Sequence, residues 1–390
     1  MPIVNRVADF HSEMAEWRHD LHAYPETAFE EHRTAAFVAD RLAEFGLAVH
    51  RGLAGTGVVG TLAGNRPGGR AIMLRADMDA LHIHERNGFA HVSRHEGRMH
   101  ACGHDGHTAM LLGAARYLAE TRLFGGTVHF VFQPAEESAG GGRRMVEDGL
   151  FARFPVEAVF GMHNWPGLPI GQFAVRAGAM MACSDHIEIV VAGRGGHAAM
   201  PQSVVDPIVI AAQIVTGLQA IVSRNVHPLQ GAVVSITQFH AGETWNVIPP
   251  EVVLRGTARA FEPAVRELVE RRVREIAEGI AAAHGARARV TYERHYPPTV
   301  NSEAETDIAA AAAAAVVGET NLRRDLLPSM GAEDFSFMLE QRPGSYVWIG
   351  NGVEAEGLHH PNYDFNDELL PLGASYWARL VEHVLGLPAA

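Results

Sequence analysis

The sequence contains no lysine, and arginine supplies all 32 of its basic residues. A lysine nucleophile or Schiff base is therefore excluded. Acidic residues outnumber basic ones and the formal net charge is −13, so binding to the polyanionic backbone of nucleic acid is not expected. Only two cysteines occur, Cys102 and Cys183. This excludes a disulfide framework and favours a reducing compartment.

Long hydrophobic runs are also missing. No stretch approaches the roughly 18 consecutive apolar residues of a membrane span. The first twenty residues are polar and charged, without the apolar core of a secretory signal. The sequence therefore predicts a cytoplasmic enzyme with no membrane association, and the length of 390 residues favours two domains.

Alternating helical and strand-like patterns in the first third predict an α/β fold. Helices are predicted over residues 27–46 and 108–121, and short apolar strands over 71–75, 128–132 and 158–162. Polar residues follow these strands: Asp77 and Asp79, then Glu136 and Glu137, then His163. Functional residues beyond the carboxyl ends of strands are typical of open α/β sheets. We therefore expect a central mixed β-sheet flanked by helices.

The pattern changes near residue 183. Residues 183–294 read as β-α-β-β-α-β, the order of a ferredoxin-like α+β domain. Asp206-Pro207 predicts the start of its first helix, because aspartate is a good N-cap and proline suits the first turn. We predict that residues 183–294 are inserted into a larger domain made of residues 1–182 and 295–390.

The most informative segment runs from Met99 to His107. It places three imidazoles, a thiol and a carboxylate in nine residues, and the adjacent carboxylates Glu136 and Glu137 follow about thirty residues later. Cysteine and histidine bind transition metals well, whereas a structural zinc site closes on these residues without a spare carboxylate. The set therefore indicates a hydrolytic metal centre.

Several longer motifs carry a family resemblance. They are Arg75-Ala76-Asp77-Met78-Asp79-Ala80-Leu81, His100-Ala101-Cys102-Gly103-His104-Asp105-Gly106-His107, Gln133-Pro134-Ala135-Glu136-Glu137, Gly161-Met162-His163-Asn164 and Leu358-His359-His360-Pro361. In this order they resemble the M20 metallopeptidase family. The amidohydrolase branch is most similar, with its hippurate hydrolases, N-acyl-amino-acid amidohydrolases and auxin-conjugate hydrolases. The match spans nearly the whole chain, from Leu21-His22 to Asn366-Asp367.

The resemblance implies a site for two divalent metal ions in each subunit, with manganese, zinc, cobalt or nickel as the candidates. It implies five ligands, namely Cys102, His104, Glu137, His163 and His359. Cys102 is the ligand expected to bridge the two ions. Glu136 is the candidate general base, since a carboxylate beside a ligand can accept a proton from water. Asp79 is expected to orient a ligating histidine. His360 is the alternative to His359.

The resemblance also assigns residues of the insertion, which it implies is a lid and dimerisation domain. His197, in a glycine-rich turn, would polarise the scissile carbonyl, in several relatives at the partner subunit's site. Asn246 and Arg259 would hold a substrate carboxylate. The alternatives are a loop histidine for His197 and a solvated strand arginine for Arg259. A homodimer, or a tetramer, is the expected assembly.

The predicted function is metal-dependent hydrolysis of the amide bond of N-acyl amino acids, either hippurate-like or N-acetylated. Three alternatives stay open: a dipeptidase or carboxypeptidase with the same machinery, a non-catalytic metal-binding homologue, and a cysteine hydrolase using Cys102. The last is disfavoured because it leaves three proposed ligands without a role, Glu137, His163 and His359.

Overall fold

The computed structural model describes residues 4–386, apart from the side chain of Ser138. Its chain divides into two compact units. The larger comprises Met1–Met180, Val300–Leu327 and Asp334–Ala390, and the smaller comprises Met181–Thr299 and Pro328–Glu333. The smaller unit includes all of residues 183–294. It also includes Pro328–Glu333, so the chain enters the smaller unit a second time. No sequence pattern indicated this second entry.

Sixteen strands are found in the described residues. In chain order they are β1 (Ala48–Leu53), β2 (Gly57–Ala63), β3 (Arg66–Asp77), β4 (Gly125–Gln133), β5 (Ala158–Pro166), β6 (Phe173–Ala174), β7 (Gly178–Met181), β8 (Ser184–Ala192), β9 (Gly196–His197), β10 (Ala232–His240), β11 (Val247–Ile248), β12 (Glu251–Ala260), β13 (Arg287–Tyr296), β14 (Thr299–Asn301), β15 (Leu322–Arg323) and β16 (Gly344–Gly352).

Twelve α-helices accompany them in the same part of the chain. They are α1 (Asn5–Ala8), α2 (His11–Ala23), α3 (His32–Glu44), α4 (His104–Thr121), α5 (Glu136–Ala139), α6 (Gly141–Glu147), α7 (Leu150–Arg153), α8 (Pro207–Ala220), α9 (Pro263–Ala283), α10 (Glu303–Val317), α11 (Ser336–Leu339) and α12 (Leu369–Leu385). Short 3₁₀ turns span Pro201–Ser203 and Glu319–Asn321, and a π-helical turn, Ile221–Asn225, extends α8.

The larger unit is built on a mixed eight-stranded sheet, as predicted, in the order β1-β2-β4-β3-β5-β16-β6-β15. The central strands β4, β3, β5 and β16 are parallel, and β1 and β2 are antiparallel. Ile72, Met73 and Leu74 of β3 are fully buried. A continuous apolar run is what a parallel strand needs when both faces of the sheet are covered. The carboxyl ends of these parallel strands therefore lie together at one edge of the sheet.

The helix predicted over residues 27–46 is wrong at its start, because α3 begins at His32. Residues 27–31 instead turn inward. Thr27 forms a parallel bridge with Ala80, and Phe29 has a left-handed backbone with φ +61°. Glu31 is fully buried. Contacts distant in sequence outweigh the local helical pattern here. The helix predicted at 108–121 also starts earlier, at His104.

The smaller unit has the predicted β-α-β-β-α-β order. Its antiparallel sheet runs β10-β12-β8-β13, with α8 and α9 packed together against it. Ile187, Ile189 and Val191 alternate into its core, as expected of a strand with one buried face. The Asp206 side chain accepts a hydrogen bond from the Ile208 amide at 2.9 Å, so the predicted N-cap is present.

One helical segment of the described residues, Pro207–Asn225, is long and apolar enough to cross a membrane by length and composition, with a mean hydropathy of 1.4. Polar residues interrupt this segment, so the expectation drawn from uninterrupted apolar runs did not include it. Ile210, Ile214 and Leu218 of this segment are buried in the core of the smaller unit. We interpret the segment as a core helix of that unit.

Candidate metal centre

The predicted ligands, the candidate base Glu136 and the supporting residue Asp79 lie at the edge of the large sheet where its parallel strands end. Asp79 follows β3, and Glu136 and Glu137 follow β4 at the start of α5. His163 lies within β5 rather than after it. His104 opens α4, and His359 lies in the segment between β16 and α12. All belong to the larger unit, so parallel strand ends and one helix start bring together residues more than 200 positions apart.

Gly103 sets the directions of the two neighbouring ligands. It caps α4 with a left-handed backbone, φ +88°. A Cβ atom here would lie 2.3 Å from Nδ2 of Asn164 and 2.6 Å from the Tyr363 hydroxyl. Only glycine fits both the conformation and the space. Cys102 before it and His104 after it thereby face the same point.

Five side chains converge on that point in two groups that share Cys102. The ligand atoms within each group all lie within 4.8 Å of one another, and the groups are Cys102, His104 and His163, and Cys102, Glu137 and His359. The Cys102 sulfur is 3.4 Å from Nε2 of His163. Two overlapping groups with one common thiol suit a pair of ions. The individual ligand assignments stay predictions that this geometry supports.

The two buried histidines, His104 and His163, each form a hydrogen bond to a backbone carbonyl through Nδ1. The Nδ1 atom of His104 lies 2.8 Å from the Asp79 carbonyl oxygen and 3.2 Å from its carboxylate, and Nδ1 of His163 lies 2.6 Å from the Asn164 carbonyl. Nδ1–H therefore donates in each ring, so Nε2 is the atom through which each ring can bind a metal ion once it carries no proton. The buried Nε2 of His104 has no hydrogen-bond partner among the described residues. A metal ion fits this orphaned atom.

Asp79 links two parts of the centre. Its Oδ1 accepts a hydrogen bond from Nδ1–H of His104, and its Oδ2 accepts one from the Glu137 backbone amide at 2.9 Å. The orientation of a ligand ring and the backbone of a ligand carboxylate thus depend on one buried side chain. These contacts support the role predicted for Asp79, which stays a prediction.

Burial and neighbouring charge shape the protonation of the centre. Burial, followed by the charge of Glu137, raises the pKa of Cys102 well above its usual value. Burial opposes the charged form of His104, yet Asp77, Asp79 and Glu137 raise its pKa to about 10. Burial lowers the pKa of His163 well below its usual value. Without a cation the thiol is therefore neutral, and metal binding must release its proton.

His359, not His360, faces the centre. Its Nε2 lies 3.1 Å from Oε1 of Glu137, and this hydrogen bond raises the pKa of His359. The His359 backbone is left-handed, φ +65°, and its amide donates to the Ala101 carbonyl at 2.7 Å. His360 lies instead 3.5 Å from Glu356. His359 is also half exposed, so it forms the solvent side of the site.

Glu136 is positioned apart from its neighbour. It is 7% exposed, and its Oε1 accepts a hydrogen bond of 3.4 Å from the Asp334 amide. Its ligand atom lies within 4.8 Å of those of His104 and Glu137. Because Glu137 is paired with His359, the two adjacent carboxylates have different surroundings, as distinct roles would require.

A buried network that sequence reasoning did not assign lies behind the ligands. Nδ1–H of His107 donates to Asp77 at 2.6 Å, and its Nε2 accepts from the Asn164 amide at 3.0 Å. Arg75 donates to Asp77 at 2.6 Å and to Asp334 at 3.1 Å. With both ring nitrogens engaged, His107 is a support rather than a ligand. Its place in the histidine-rich motif was the only available signal.

The remaining predicted residues belong to the smaller unit. His197 lies on β9, paired in register with Val247 of β11, and the Ala198 amide donates to the Asn246 carbonyl at 3.1 Å. His197 and Asn246 therefore flank one exposed two-stranded ribbon. Arg259 is half-buried on β12, and among residues 4–386 its side chain has no hydrogen-bond or ion-pair partner. Burial lowers the pKa of Arg259.

The chain is similar to several known proteins. The model of peptidase family M20/M25/M40 matches residues 73–383. Hippurate hydrolase of Campylobacter jejuni is 42% identical over 381 residues, which cover 97% of this chain and 98% of the relative. N-acetylcysteine deacetylase of Bacillus subtilis is 42% identical over 379 residues, 96% and 98% of the two chains. The crystal structure of the Bacillus subtilis YxeP protein, described as a dinuclear metal-binding peptidase from the M20 family, superposes with a TM-score of 0.85 at 38% identity, covering 97% and 99%.

Proposed function

We propose that this chain, which belongs to peptidase family M20/M25/M40 and is a metal-dependent amidohydrolase, cleaves the amide bond of N-acyl amino acids. The observation that carries the proposal is the convergence of one thiol, three imidazoles and one carboxylate beside a second, separately held carboxylate. The substrate class follows from the relatives. Hippurate and N-acetylcysteine, which their names specify, are both N-acyl amino acids.

We assign the roles within the larger unit as follows. Cys102, His104, Glu137, His163 and His359 would hold two divalent ions, with manganese, zinc, cobalt and nickel as candidates. When bound, such ions supply Lewis acidity and lower the pKa of a bound water. Glu136 takes the proton of the attacking water and passes it to the leaving amine nitrogen. Asp79 keeps the His104 ring in the tautomer that leaves Nε2 free.

Residues of the smaller unit would complete the substrate site. His197 donates a hydrogen bond to the scissile carbonyl oxygen as negative charge develops on it. Arg259 and Asn246 hold the carboxylate of the amino-acid half. Arg259 forms no hydrogen bond or ion pair in the described part of the chain, although the charge of Asp185 acts on it, so its guanidinium donors are available to a substrate carboxylate.

The alternatives are less well supported. A cysteine hydrolase needs a low-pKa thiolate, whereas burial raises the pKa of Cys102. A non-catalytic homologue would be expected to lack a ligand or the base, and every one of these residues is present. A dipeptidase or carboxypeptidase would use the same metal centre, so it is separated by substrate alone. The two hydrolases to which the chain is 42% identical are named for substrates with an N-acyl group, and this favours an acylated substrate over a free dipeptide.

The test compares Glu136→Gln with Glu137→Gln. We expect Glu136→Gln to keep its metal content and to lose at least about 10²-fold in turnover, the scale of general acid–base catalysis. Glu137→Gln should instead lose metal. Hydrolysis of hippurate, N-acetylcysteine and an unblocked dipeptide is measured with and without chelator, and metal is counted by mass spectrometry.

The outcomes separate the hypotheses. Activity that survives full metal removal would refute the metallohydrolase assignment for this site. An active Glu136→Gln protein that has lost metal would exchange the roles of the two glutamates. Cleavage of the dipeptide alone would replace the amidase proposal with the dipeptidase one.

We further propose a homodimer. Strand β10 is an edge strand of the smaller unit, and Phe239 and Trp245 nearby are exposed, Trp245 by 98%. An unpaired strand edge beside apolar side chains can pair with a second copy. If His197 serves the partner's site, mixing inactive His197→Ala and Glu136→Gln proteins restores activity in one site of each mixed dimer. Subunit exchange without recovery of activity would place His197 in its own chain's site or outside catalysis.

The proposed location is the cytoplasm. Both cysteines are unpaired and buried, and a ligating thiol must remain reduced. Cell fractionation with activity assays tests this directly, and activity confined to an oxidising compartment would contradict it.

A further inference from the structure

A carboxylate outside the metal centre, Glu31, is fully buried in the larger unit. It ends the inward turn of residues 27–31, just before α3. It is 106 residues from the nearest proposed ligand carboxylate in sequence, and no motif pointed to it. Placing a carboxylate in the interior is unfavourable unless hydrogen bonds compensate. Its partners therefore indicate what the residue does.

Glu31 accepts hydrogen bonds from three donors. Its Oε1 receives the Phe29 amide at 3.0 Å and the Ala135 amide at 2.9 Å, and its Oε2 receives the Thr56 hydroxyl at 2.6 Å. The Phe29 contact is local and shapes its own turn. The Ala135 contact joins this turn to a segment 104 residues away.

Ala135 is the residue immediately before the two active-site glutamates, and its backbone is left-handed, φ +56°. A residue with a Cβ atom adopts this conformation only when the surroundings impose it. The Glu31 carboxylate holds the Ala135 amide, and the Gly141 amide holds its carbonyl at 2.9 Å. Without the first contact the amide would be buried and unsatisfied, and the turn would relax.

A second buried carboxylate holds the same turn. Asp79 accepts the Glu137 amide at 2.9 Å, two residues further along. Glu31 thus holds the Pro134–Ala135 peptide unit and Asp79 holds the Glu136–Glu137 unit, so hydrogen bonds restrain the backbone before and after Glu136. The Glu136 side chain projects from a backbone that is restrained at both ends.

We propose that Glu31 is a positioning residue for the general base, acting through the left-handed Ala135 turn. The inference rests on the proposed function, in which Glu136 is that base. Glu31 touches neither substrate nor metal. Its effect is to keep the Glu136 carboxylate at the distance and angle that proton transfer requires, where a misplacement of about 1 Å can reduce the rate about 10²-fold.

The principal variants are Glu31→Ala and Glu31→Gln. We expect Glu31→Ala, assayed with saturating metal on N-acetylcysteine or hippurate, to lower kcat about 10- to 100-fold while KM changes little. Glu31→Gln should recover much of this loss. Its amide oxygen can still accept from Ala135, and its NH₂ group can donate to the Thr56 hydroxyl.

Two matched controls separate positioning from general destabilisation. Thr56→Val removes one partner of the same carboxylate and leaves the Ala135 contact in place. Asn301→Ala removes a buried side chain that bonds to Tyr346 and Arg176, away from the turn. Both should lose stability and keep kcat near the wild-type value when compared at equal folded fraction. Amide hydrogen exchange over residues 133–140 should accelerate in Glu31→Ala and not in Asn301→Ala.

A double variant tests whether Glu31 acts through Glu136. In the Glu136→Gln background, Glu31→Ala should cause little further loss, because the group that it positions is already absent. An equal loss in both backgrounds would overturn the inference, as would a Glu31→Ala kcat no lower than that of Asn301→Ala. Failure of the proposed function has a different signature, since Glu136→Gln alone would then remain active.

Discussion

Replacing Gly103 with alanine probes the most constrained backbone position of the metal centre. Gly103 lies between the proposed ligands Cys102 and His104, with φ +88°. The added methyl group would meet Nδ2 of Asn164 at 2.3 Å and the Tyr363 hydroxyl at 2.6 Å. Both distances are too short for any real contact, so either the backbone or Asn164 must move.

The expected destabilisation has two parts. The left-handed conformation costs an alanine about 1–2 kcal/mol relative to glycine. Displacing Asn164 removes the hydrogen bond from its Nδ2 to the Cys102 carbonyl, 2.6 Å long, which contributes about 1 kcal/mol. The free energy of unfolding of the metal-free protein should therefore fall by about 2–3 kcal/mol. The affinity for the metal ions should fall as well, because Cys102 and His104 shift together.

Gly97→Ala is the matched control. Gly97 has a similar backbone, φ +74°, but no atom lies within 4 Å of the position that a Cβ would occupy. This variant should show the conformational part alone, about 1–2 kcal/mol, and keep its metal affinity. Denaturant titration of the metal-free proteins and competitive chelator titration measure the two effects. Equal losses of stability with unchanged metal affinity in both variants would refute the proposed role of Gly103.

Three further predictions follow from buried groups. Asp79→Asn should lower metal affinity about 10- to 100-fold in chelator titration, since it weakens the support of both His104 and Glu137; wild-type affinity would contradict this. Arg18→Met should reduce the free energy of unfolding by about 3–5 kcal/mol, because it removes the guanidinium 2.9 Å from the fully buried Asp105 and leaves that carboxylate with His22 alone, at 2.8 Å. A loss below about 1 kcal/mol would show that His22 compensates Asp105 without Arg18. Burial raises the pKa of Glu31 from 4.5 to about 7, so the folded state keeps a proton that the unfolded state releases. This contribution to stability is complete below pH 4.5 and is lost as the pH rises through about 7. It is worth about 3 kcal/mol, and the stability difference between wild type and Glu31→Gln should change by that amount across the interval. A difference independent of pH would mean that Glu31 is ionised throughout.

The fold could be predicted where periodicity is a local property. Alternating Ile187, Ile189 and Val191 predicted a half-buried strand, and the apolar run over residues 71–75 predicted a strand as well. The α8 start followed from Asp206-Pro207 alone. In each case the interactions that define the element lie within a few residues, so the pattern in the sequence is sufficient.

The start of α3 was mispredicted for the opposite reason. Residues 27–31 have a helix-compatible composition, yet Thr27 pairs with Ala80 and Glu31 bonds to Thr56 and Ala135. These partners are 25 to 104 residues away along the chain. No local pattern encodes a buried carboxylate that accepts a distant amide. The left-handed backbones of Ala135 and His359 are invisible in the sequence for the same reason.

The candidate centre likewise combines residues that the motifs indicated with contacts that no motif indicated. The side chains that converge on it come from compact motifs, because two ligands on either side of Gly103 need a fixed spacing. Asp105 lies in the same motif but faces away, towards Arg18 and His22 of α2. Arg18 also pairs with Asp364, five residues after His359. One buried arginine therefore joins the segment that carries Cys102 and His104 to the segment that carries His359. Because this linkage depends on the tertiary fold and not on spacing, the motifs indicated the candidate ligands and the support from Asp79, whereas only the structure shows that Arg18 connects the segments that carry them.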